Sequence, residues 1–257
     1  MVSQLAEVVN YQLPVGETLI PMNELVGRKV QMNFNHQINC IVCGAKTPKS
    51  FSQGFCYKCF TTHPAADECI FNPEKCQAHN GISRNMEWSK DHCLKEHVVY
   101  LSITNDIKVG VTRMSQIPTR WIDQGAIQAI RLAQTPNRYI AGIIEVALKS
   151  YFADKTNWQR MLKNQIEPNI FLIEKKQYAR EMLNNDLQQY VIDNDQIVEI
   201  RYPVQTYPKK VNSLSWDKTA EISGILTGIK GQYLIFDHQN VLNIRKFGGY
   251  SIAFTVE

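Results

Sequence analysis

Seven cysteines lie between residues 40 and 93, and none lie elsewhere in the 257-residue chain. The surrounding residues 39–97 show little apolar periodicity and are dense in glycine, proline and asparagine, so apolar side chains alone do not give this segment a core. An odd number of cysteines packed into one segment, without an export signal, favours metal binding over disulfides. The sequence therefore predicts that residues 39–97 need metal to fold.

The first four cysteines form two Cys-x2-Cys pairs, Cys40 with Cys43 and Cys56 with Cys59. A Cys-x2-Cys turn lets two sulfurs converge on one ion, and zinc prefers tetrahedral thiolate ligands in its structural sites. The spacer of residues 44–55 is typical of a zinc-ribbon hairpin. We predict one structural zinc ion here, with an iron–sulfur cluster as the alternative. Four thiolates leave no open position, so this site is not catalytic.

The remaining cysteines lie near two histidines, which gives five candidate ligands for a second zinc ion: Cys69, Cys76, His79, Cys93 and His97. Both Cys76-x2-His79 and Cys93-x3-His97 have metal-ligand spacing. Cys76, Cys93 and His97 are the preferred ligands, and Cys69 and His79 compete for the fourth position. If only three bind, water takes the fourth position and Glu74 or Glu87 becomes a candidate base. The alternative is a set of buried thiols and solvated histidines.

Outside this segment the patterns predict an α+β fold in three further parts. Residues 1–38 read as strands, with Val30, Met32 and Phe34 on one face. Residues 98–165 read as a β-hairpin, a helix over 119–130 opened by Pro118, a strand near 130–135 and a helix over 137–152. Residues 166–257 read as an amphipathic helix over 174–191 and then a small β-barrel or sheet, which the N-terminal strands are candidates to complete.

Five polar residues and one glycine follow one another along the strands and helices of residues 98–165. They are Tyr100, Lys108, Gly110, Arg120, Glu145 and Asn157. Their order resembles that of the GIY-YIG nuclease superfamily, in which two strands carry the GIY and YIG motifs and two later helices carry an arginine and a metal-binding glutamate. Residues 99–101 stand where GIY would be, and residues 108–110 stand where YIG would be. The likeness covers residues 98 to about 163.

The GIY-YIG resemblance implies phosphodiester hydrolysis with Mg²⁺ or Mn²⁺. Tyr100, helped by Lys108, would orient or deprotonate water, and Arg120 would donate a two-pronged hydrogen bond to phosphate. Glu145 would hold the metal ion, and Asn157 stands near the late asparagine of the superfamily. The rival interpretation makes Arg120 a structural ion-pair partner of Glu145.

The sequence departs from the GIY-YIG pattern at two positions. Lys108 replaces the second tyrosine, and Gln124 stands where histidine or tyrosine is frequent. A glutamine does not carry protons, so these departures favour a non-catalytic interpretation. Nearly the full chain also resembles a bacterial domain-of-unknown-function family, number 2797, through residues 69–79, 97–126 and 228–236. That resemblance implies an architecture and supplies no activity.

The balance of 28 basic against 24 acidic residues permits nucleic-acid binding without requiring it. Candidate contacts are the basic residues Arg113, Lys209, Lys210, Arg245 and Lys246. No stretch approaches the roughly 18 apolar residues of a membrane helix, so we expect no membrane partner. The N-terminal residues have no basic leader before an apolar segment, so we expect a cytoplasmic location. The sequence does not fix the oligomeric state.

Three functions compete on this sequence. The first is a zinc-containing, metal-dependent nuclease, and the second is a non-catalytic protein that binds RNA or DNA. The third is a protein-interaction scaffold built on zinc modules. Together the observations favour a zinc protein that engages nucleic acid, with cleavage as an open question.

Overall fold

The computed structural model of the chain describes residues 1–153 and 155–257. It confirms the α+β class, with strands in three sheets of three, six and four strands. Short helices and 3-10 turns dominate the cysteine-rich segment, and longer helices pack near the four-stranded sheet. Within the described ranges, no helix is both long and apolar enough to cross a bilayer.

The chain begins with a three-stranded antiparallel sheet in the order of the sequence. Its strands are β1 (Val2–Gln4), β2 (Asn10–Val15) and β3 (Thr18–Pro21). Tyr11 and Leu13 alternate with exposed residues on β2 and are buried, as expected for a sheet with one face on the core. Gly16 makes the turn between β2 and β3 with a φ of 59°, a conformation that suits glycine.

The six-stranded sheet joins the two ends of the chain. Its strands are β4 (Lys29–Ile38), β9 (Asn212–Ser213), β10 (Glu221–Lys230), β11 (Tyr233–Phe236), β12 (Asn240–Asn243) and β13 (Tyr250–Val256). Their order is β13-β4-β10-β11-β12-β9, and over the described residues this sheet is open rather than a closed barrel. Val30 and Met32 on β4 are fully buried, and Phe34 packs at the edge of the same core.

The four-stranded sheet is antiparallel in the order β6-β5-β7-β8. Its strands are β5 (His97–Ile103), β6 (Ile107–Arg113), β7 (Gln128–Thr135) and β8 (Ile197–Glu199). All of β5 is buried, because helices and the other sheets cover both of its faces. The hairpin predicted from the sequence is therefore β5–β6 at the centre of the protein.

Three predicted helices are shorter in the structure than in the sequence analysis. The helix expected over 137–152 spans Arg138–Leu148. The helix expected over 119–130 is α3 (Thr119–Asp123), because Gly125 takes a φ of +74° and residues from Gln128 onward join β7. The helix expected over 174–191 is divided into α6 (Leu172–Met182) and α7 (Asn185–Gln188), since the Asn184 side chain accepts a hydrogen bond from Leu187 N–H and starts a new helix.

The remaining helices position the polar residues. They are α1 (Tyr57–Thr62), α2 (Met86–His92), α4 (Arg138–Leu148) and α5 (Trp158–Leu162). Helix α4 packs on the four-stranded sheet through Ala141, Ile144 and Leu148. Its Gly142 abuts the backbone of Pro73 and Glu74, so the cysteine-rich segment lies directly against α4.

Candidate functional site

The first four cysteines lie together, as the sequence predicts. The sulfurs of Cys40, Cys43, Cys56 and Cys59 are all within 4.8 Å of one another, a group that can hold one metal ion. A tight turn directs the first pair, since Gly44 N–H donates to Cys40 O at 2.9 Å with a φ of +70° at Gly44. Cys56 caps α1, and its sulfur accepts from Cys59 N–H at 3.5 Å.

The second cluster holds three cysteines. The sulfurs of Cys69, Cys76 and Cys93 also lie within 4.8 Å of one another, and all three residues are buried. They come from three short elements: Cys69 from the turn Glu68–Ile70, Cys76 from the end of the turn Pro73–Lys75, and Cys93 from the C-terminal cap of α2. Hydrogen bonds from Cys69 and Cys76 lower the pKa of the Cys93 thiol.

The two histidines predicted as ligands lie outside both groups of cysteines. His79 is exposed and stacks on Tyr139, with the ring centroids 4.3 Å apart. His97 opens β5, and its Nδ1 hydrogen-bonds to Lys95 O at 2.8 Å. Its Nε2 is buried and has no hydrogen-bond partner among the described residues. The structure thus brings three of the five candidate ligands together and leaves His79 and His97 apart from them.

Arg138 supports the second cluster electrostatically. It is 8% exposed, and its guanidinium donates to Cys69 O and His92 O at 3.2 Å each. Hydrogen bonds with Cys76 and Cys93 raise the pKa of Cys69, and the positive charge of Arg138 opposes that rise. The same charge adds to the lowering of the pKa of Cys93 by its hydrogen bonds with Cys69 and Cys76. The sequence analysis did not single out Arg138, because its neighbours are far away along the chain.

The three cysteines line a cavity of about 390 Å³, called the thiol cavity below. Ala78, Ile82 and Trp88 contribute apolar surface to it. Two cations, Lys75 and Arg84, also line it, and each is already in an ion pair, with Glu68 and with Asp67. The thiol cavity is therefore an apolar pocket with compensated charges and sulfur atoms at one wall.

Tyr100 and Gly110 face each other across the β5–β6 pair. The tyrosine ring occupies the space that a side chain at position 110 would need, since a Cβ there would lie 2.6 Å from the hydroxyl oxygen. Tyr100 is fully buried. The pair explains physically why a glycine stands at position 110.

The Tyr100 hydroxyl belongs to a small polar unit with Gln124 and Arg120. One end of the Gln124 side-chain amide lies 2.7 Å from the Tyr100 hydroxyl, and the other end lies 3.2 Å from the Arg120 guanidinium. Because a guanidinium only donates, the amide oxygen faces Arg120 and accepts from it, and the amide nitrogen donates to the Tyr100 hydroxyl. Burial raises the pKa of Tyr100, Arg120 lowers it and Glu145 raises it. The structure therefore brings Tyr100, Arg120 and Glu145 into electrostatic reach of one another.

The other residues that resemble the GIY-YIG pattern, Glu145, Lys108 and Asn157, differ in burial and in their contacts. Glu145 lies on α4 with 12% of its side chain exposed and with Lys149 Nζ 3.9 Å away. Lys108 is buried on β6 opposite Ser102, on the face that also carries Tyr100. Asn157 caps α5, where its side chain accepts from Arg160 N–H at 3.1 Å. Asn157 thus has a structural task at this position.

A second cavity, of about 540 Å³, gathers four guanidinium groups and is called the arginine cavity below. These belong to Arg113, Arg120, Arg138 and Arg245. The one acidic residue that lines it is Asp123, which lies 3.5 Å from Arg245. Burial and the nearby Arg138 lower the pKa of Arg113, and burial and the nearby Arg120 lower that of Arg245. His97 also lines this cavity.

The predicted basic residues divide between this cavity and the outer surface. Arg113 and Arg245 line the arginine cavity, and Arg245 also donates to Gln53 at 2.8 Å. Lys209, Lys210 and Lys246 are exposed and do not line it. The cavity draws its walls from the segments that carry the two cysteine clusters, from the four-stranded sheet and from the turn after β12, so no single sequence motif signals it.

One comparison with known proteins gives a match. A protein-family model described as "Protein of unknown function (DUF2797)" matches residues 27–252. No curated protein and no solved structure matches the chain.

Proposed function

The chain belongs to the DUF2797 family, whose description names no activity, and we propose that it is a metal-containing protein that binds nucleic acid through the arginine cavity. The observation that carries the proposal is the convergence of four arginines on one cavity with a single acidic residue. Phosphate is the ligand that this arrangement fits best, because a guanidinium offers a planar fork that matches its oxygens.

The electrostatics of the cavity favour an anion. Bringing like charges together in a partly buried space costs free energy unless an anion compensates them. Arg113 lies near Arg138, and Arg245 lies near Arg120. Asp123 supplies one negative charge, so four cations share one anion. A chain of phosphates would supply the rest, and it would also contact several elements at once.

Two residues that line the cavity also have buried polar atoms without partners in the part of the chain that the structure describes. His97 Nε2 and Arg138 Nε have no hydrogen-bond partners among the described residues, and both residues line the cavity. His97 Nδ1 is held by Lys95 O, so Nδ1 carries the proton and Nε2 is an acceptor.

The test is a binding titration of the full chain with single-stranded and double-stranded RNA and DNA oligonucleotides at several salt concentrations. We expect the logarithm of the binding constant to fall linearly with the logarithm of the salt concentration. Arg113→Gln and Arg245→Gln should each weaken binding and lower the slope by about 1. Arg180→Gln is the matched control, since Arg180 lies on α6, exposed and paired with Asp193.

Lys209 and Lys210, which are exposed in the C-terminal part of the chain, form an alternative nucleic-acid-binding surface. If Lys209→Gln and Lys210→Gln weaken binding and the two cavity variants do not, the interface is the outer surface of the tail and the cavity proposal is wrong. Absence of salt-dependent binding to every oligonucleotide would remove the nucleic-acid proposal altogether. Recovery of a specific protein without nucleic acid would then favour the scaffold function.

A second candidate function is phosphodiester cleavage. It is favoured by the proximity of Tyr100, Arg120 and Glu145, on one strand and two helices of the β5–β7 region. The Tyr100 hydroxyl weighs against it, because the residue is fully buried and its hydroxyl is already hydrogen-bonded to Gln124. The test is Mg²⁺-dependent cleavage of a bound oligonucleotide by wild type and Glu145→Gln. Equal cleavage by both proteins would contradict a metal-binding role for Glu145.

A further inference from the structure

The second cysteine cluster supplies three ligands where zinc takes four. Among the described residues, no further cysteine, histidine, aspartate or glutamate has a ligand atom close enough to join Cys69, Cys76 and Cys93. The two histidines with metal-ligand spacing lie outside this group. His79 stacks on Tyr139, and His97 bonds Lys95 O through Nδ1 while its buried Nε2 has no partner among the described residues, so His97 is the residue that the test below must exclude. Three protein ligands and one open position distinguish reactive zinc sites from structural ones.

The thiol cavity provides the space for a fourth ligand. All three cysteines line it, so an ion at the cluster would face the cavity on its remaining side. Its volume of about 390 Å³ exceeds the roughly 30 Å³ that one water molecule occupies. The space is therefore large enough for a small organic ligand together with water.

The charges around the cluster define the kind of ligand. Zinc(II) with three thiolates carries one negative charge, and the Arg138 guanidinium beside Cys69 and Cys93 balances it. Lys75 and Arg84 are compensated by Glu68 and Asp67, so they leave no positive charge for an anionic ligand. Ala78, Ile82 and Trp88 give the cavity an apolar wall. A neutral ligand with an apolar body suits this setting.

We propose that Cys69, Cys76 and Cys93 bind a zinc ion whose fourth ligand is an exchangeable water, and that neutral nitrogen donors of the imidazole class replace this water from the thiol cavity. The exchange breaks one zinc–oxygen bond and forms one zinc–nitrogen bond, and no proton or electron is transferred. This site shares Arg138 with the arginine cavity, but its three cysteine ligands line the thiol cavity, so the proposal does not depend on nucleic-acid binding.

The experiment uses the full chain with Co²⁺ in place of zinc, because the visible absorption of Co²⁺ reports its ligands. We expect two Co²⁺ per chain and a saturable change in the visible spectrum when imidazole is added. His79→Gln and His97→Gln should leave both the spectrum and the imidazole response as in the wild type. Ile82→Trp, at an exposed position on the cavity wall, should weaken the imidazole response several-fold and leave the spectrum without imidazole unchanged.

Four results would overturn the proposal. The first is an unchanged spectrum at saturating imidazole with two Co²⁺ bound, which means that the chain supplies the fourth ligand. The second is a spectrum altered by His97→Gln or by His79→Gln, which identifies that histidine as the ligand. The third is a single Co²⁺ per wild-type chain. The fourth is iron with acid-labile sulfide in protein purified without oxygen, which would make the centre an iron–sulfur cluster.

Discussion

Gly142 allows helix α4 to contact the cysteine-rich segment, and replacing it with alanine tests that contact. In the interior of an open helix, glycine to alanine stabilises the protein by about 1 kcal/mol. Here a Cβ would overlap the backbone nitrogen of Glu74 and the carbonyl carbon of Pro73, and it would lie 2.8 Å from Glu74 Cα. We therefore expect the opposite sign for Gly142→Ala.

The magnitude follows from what must move. Carbon atoms in contact prefer a separation of about 3.5–4.0 Å, so the Pro73–Glu74 backbone would have to shift by roughly 1 Å. Overpacking costs about 1–3 kcal/mol, and a clash with backbone belongs at the upper end. Subtracting the helix term of about 1 kcal/mol leaves a net destabilisation of about 2 kcal/mol. For a chain of this size, that lowers Tm by about 4–8 °C.

The assay is urea unfolding followed by circular dichroism, with bound metal measured in parallel. Glu74 lies two residues before Cys76, so the shift should also weaken metal binding at the second cluster. Ala147→Gly, on the same helix but half-exposed, calibrates the helix term and should cost about 1 kcal/mol without loss of metal. A Gly142→Ala protein that is about 1 kcal/mol more stable than wild type would refute the contact.

Three further predictions address other parts of the protein. Burial lowers the pKa of Lys230 to about 7, so between pH 7 and about 10.5 the unfolded chain holds a proton that the folded chain has lost. The free energy of unfolding should therefore rise with pH in this range, by up to about 1.4 kcal/mol per pH unit. Lys230→Met should reduce this slope in urea unfolding, and an unchanged slope would contradict the prediction. Gly110→Ala places a Cβ 2.6 Å from the Tyr100 hydroxyl. The substitution should lower the free energy of unfolding by about 1–3 kcal/mol and alter the near-ultraviolet circular dichroism spectrum. A variant with the stability and spectrum of the wild type would contradict this packing. Chelation with EDTA should expose residues 40–93 to limited proteolysis while β4 and β10 stay protected, because the cysteines form much of the small cores of that segment. Equal protection of all these residues would show that metal does not stabilise the segment.

The first cysteine cluster could be predicted because the spacing of its residues is typical of metal ligands. Cys-x2-Cys turns bring two sulfurs to one point whatever surrounds them, so Cys40 and Cys43 could be paired with Cys56 and Cys59 from sequence alone. The β5–β6 hairpin was equally accessible, since apolar residues on both sides of a short polar turn favour two paired strands. Local chemistry determines both features.

The rest depends on residues that are far apart along the chain. Arg138 lies 69 residues from Cys69, whose carbonyl oxygen it contacts, so no local pattern signals its role. The spacing of His97 to Cys93 fitted a metal ligand, yet the position of His97 at the start of β5 places it on the arginine cavity. Helix α3 ends early because Gly125 adopts a positive φ, and the apolar residues after it could equally suit a helix or a strand.

The position of β4 has a consequence for synthesis. This strand ends at Ile38, and it pairs with β10, which begins at Glu221, and with β13, which ends at Val256. A ribosome adding about 5–20 residues per second therefore leaves β4 without either neighbour for on the order of ten seconds or longer. During that interval an unpaired, apolar strand edge is open to misassembly, while the cysteine clusters have already emerged and can take up metal. The nascent chain is thus expected to need protection of its first strands until β10 and β13 have been synthesised.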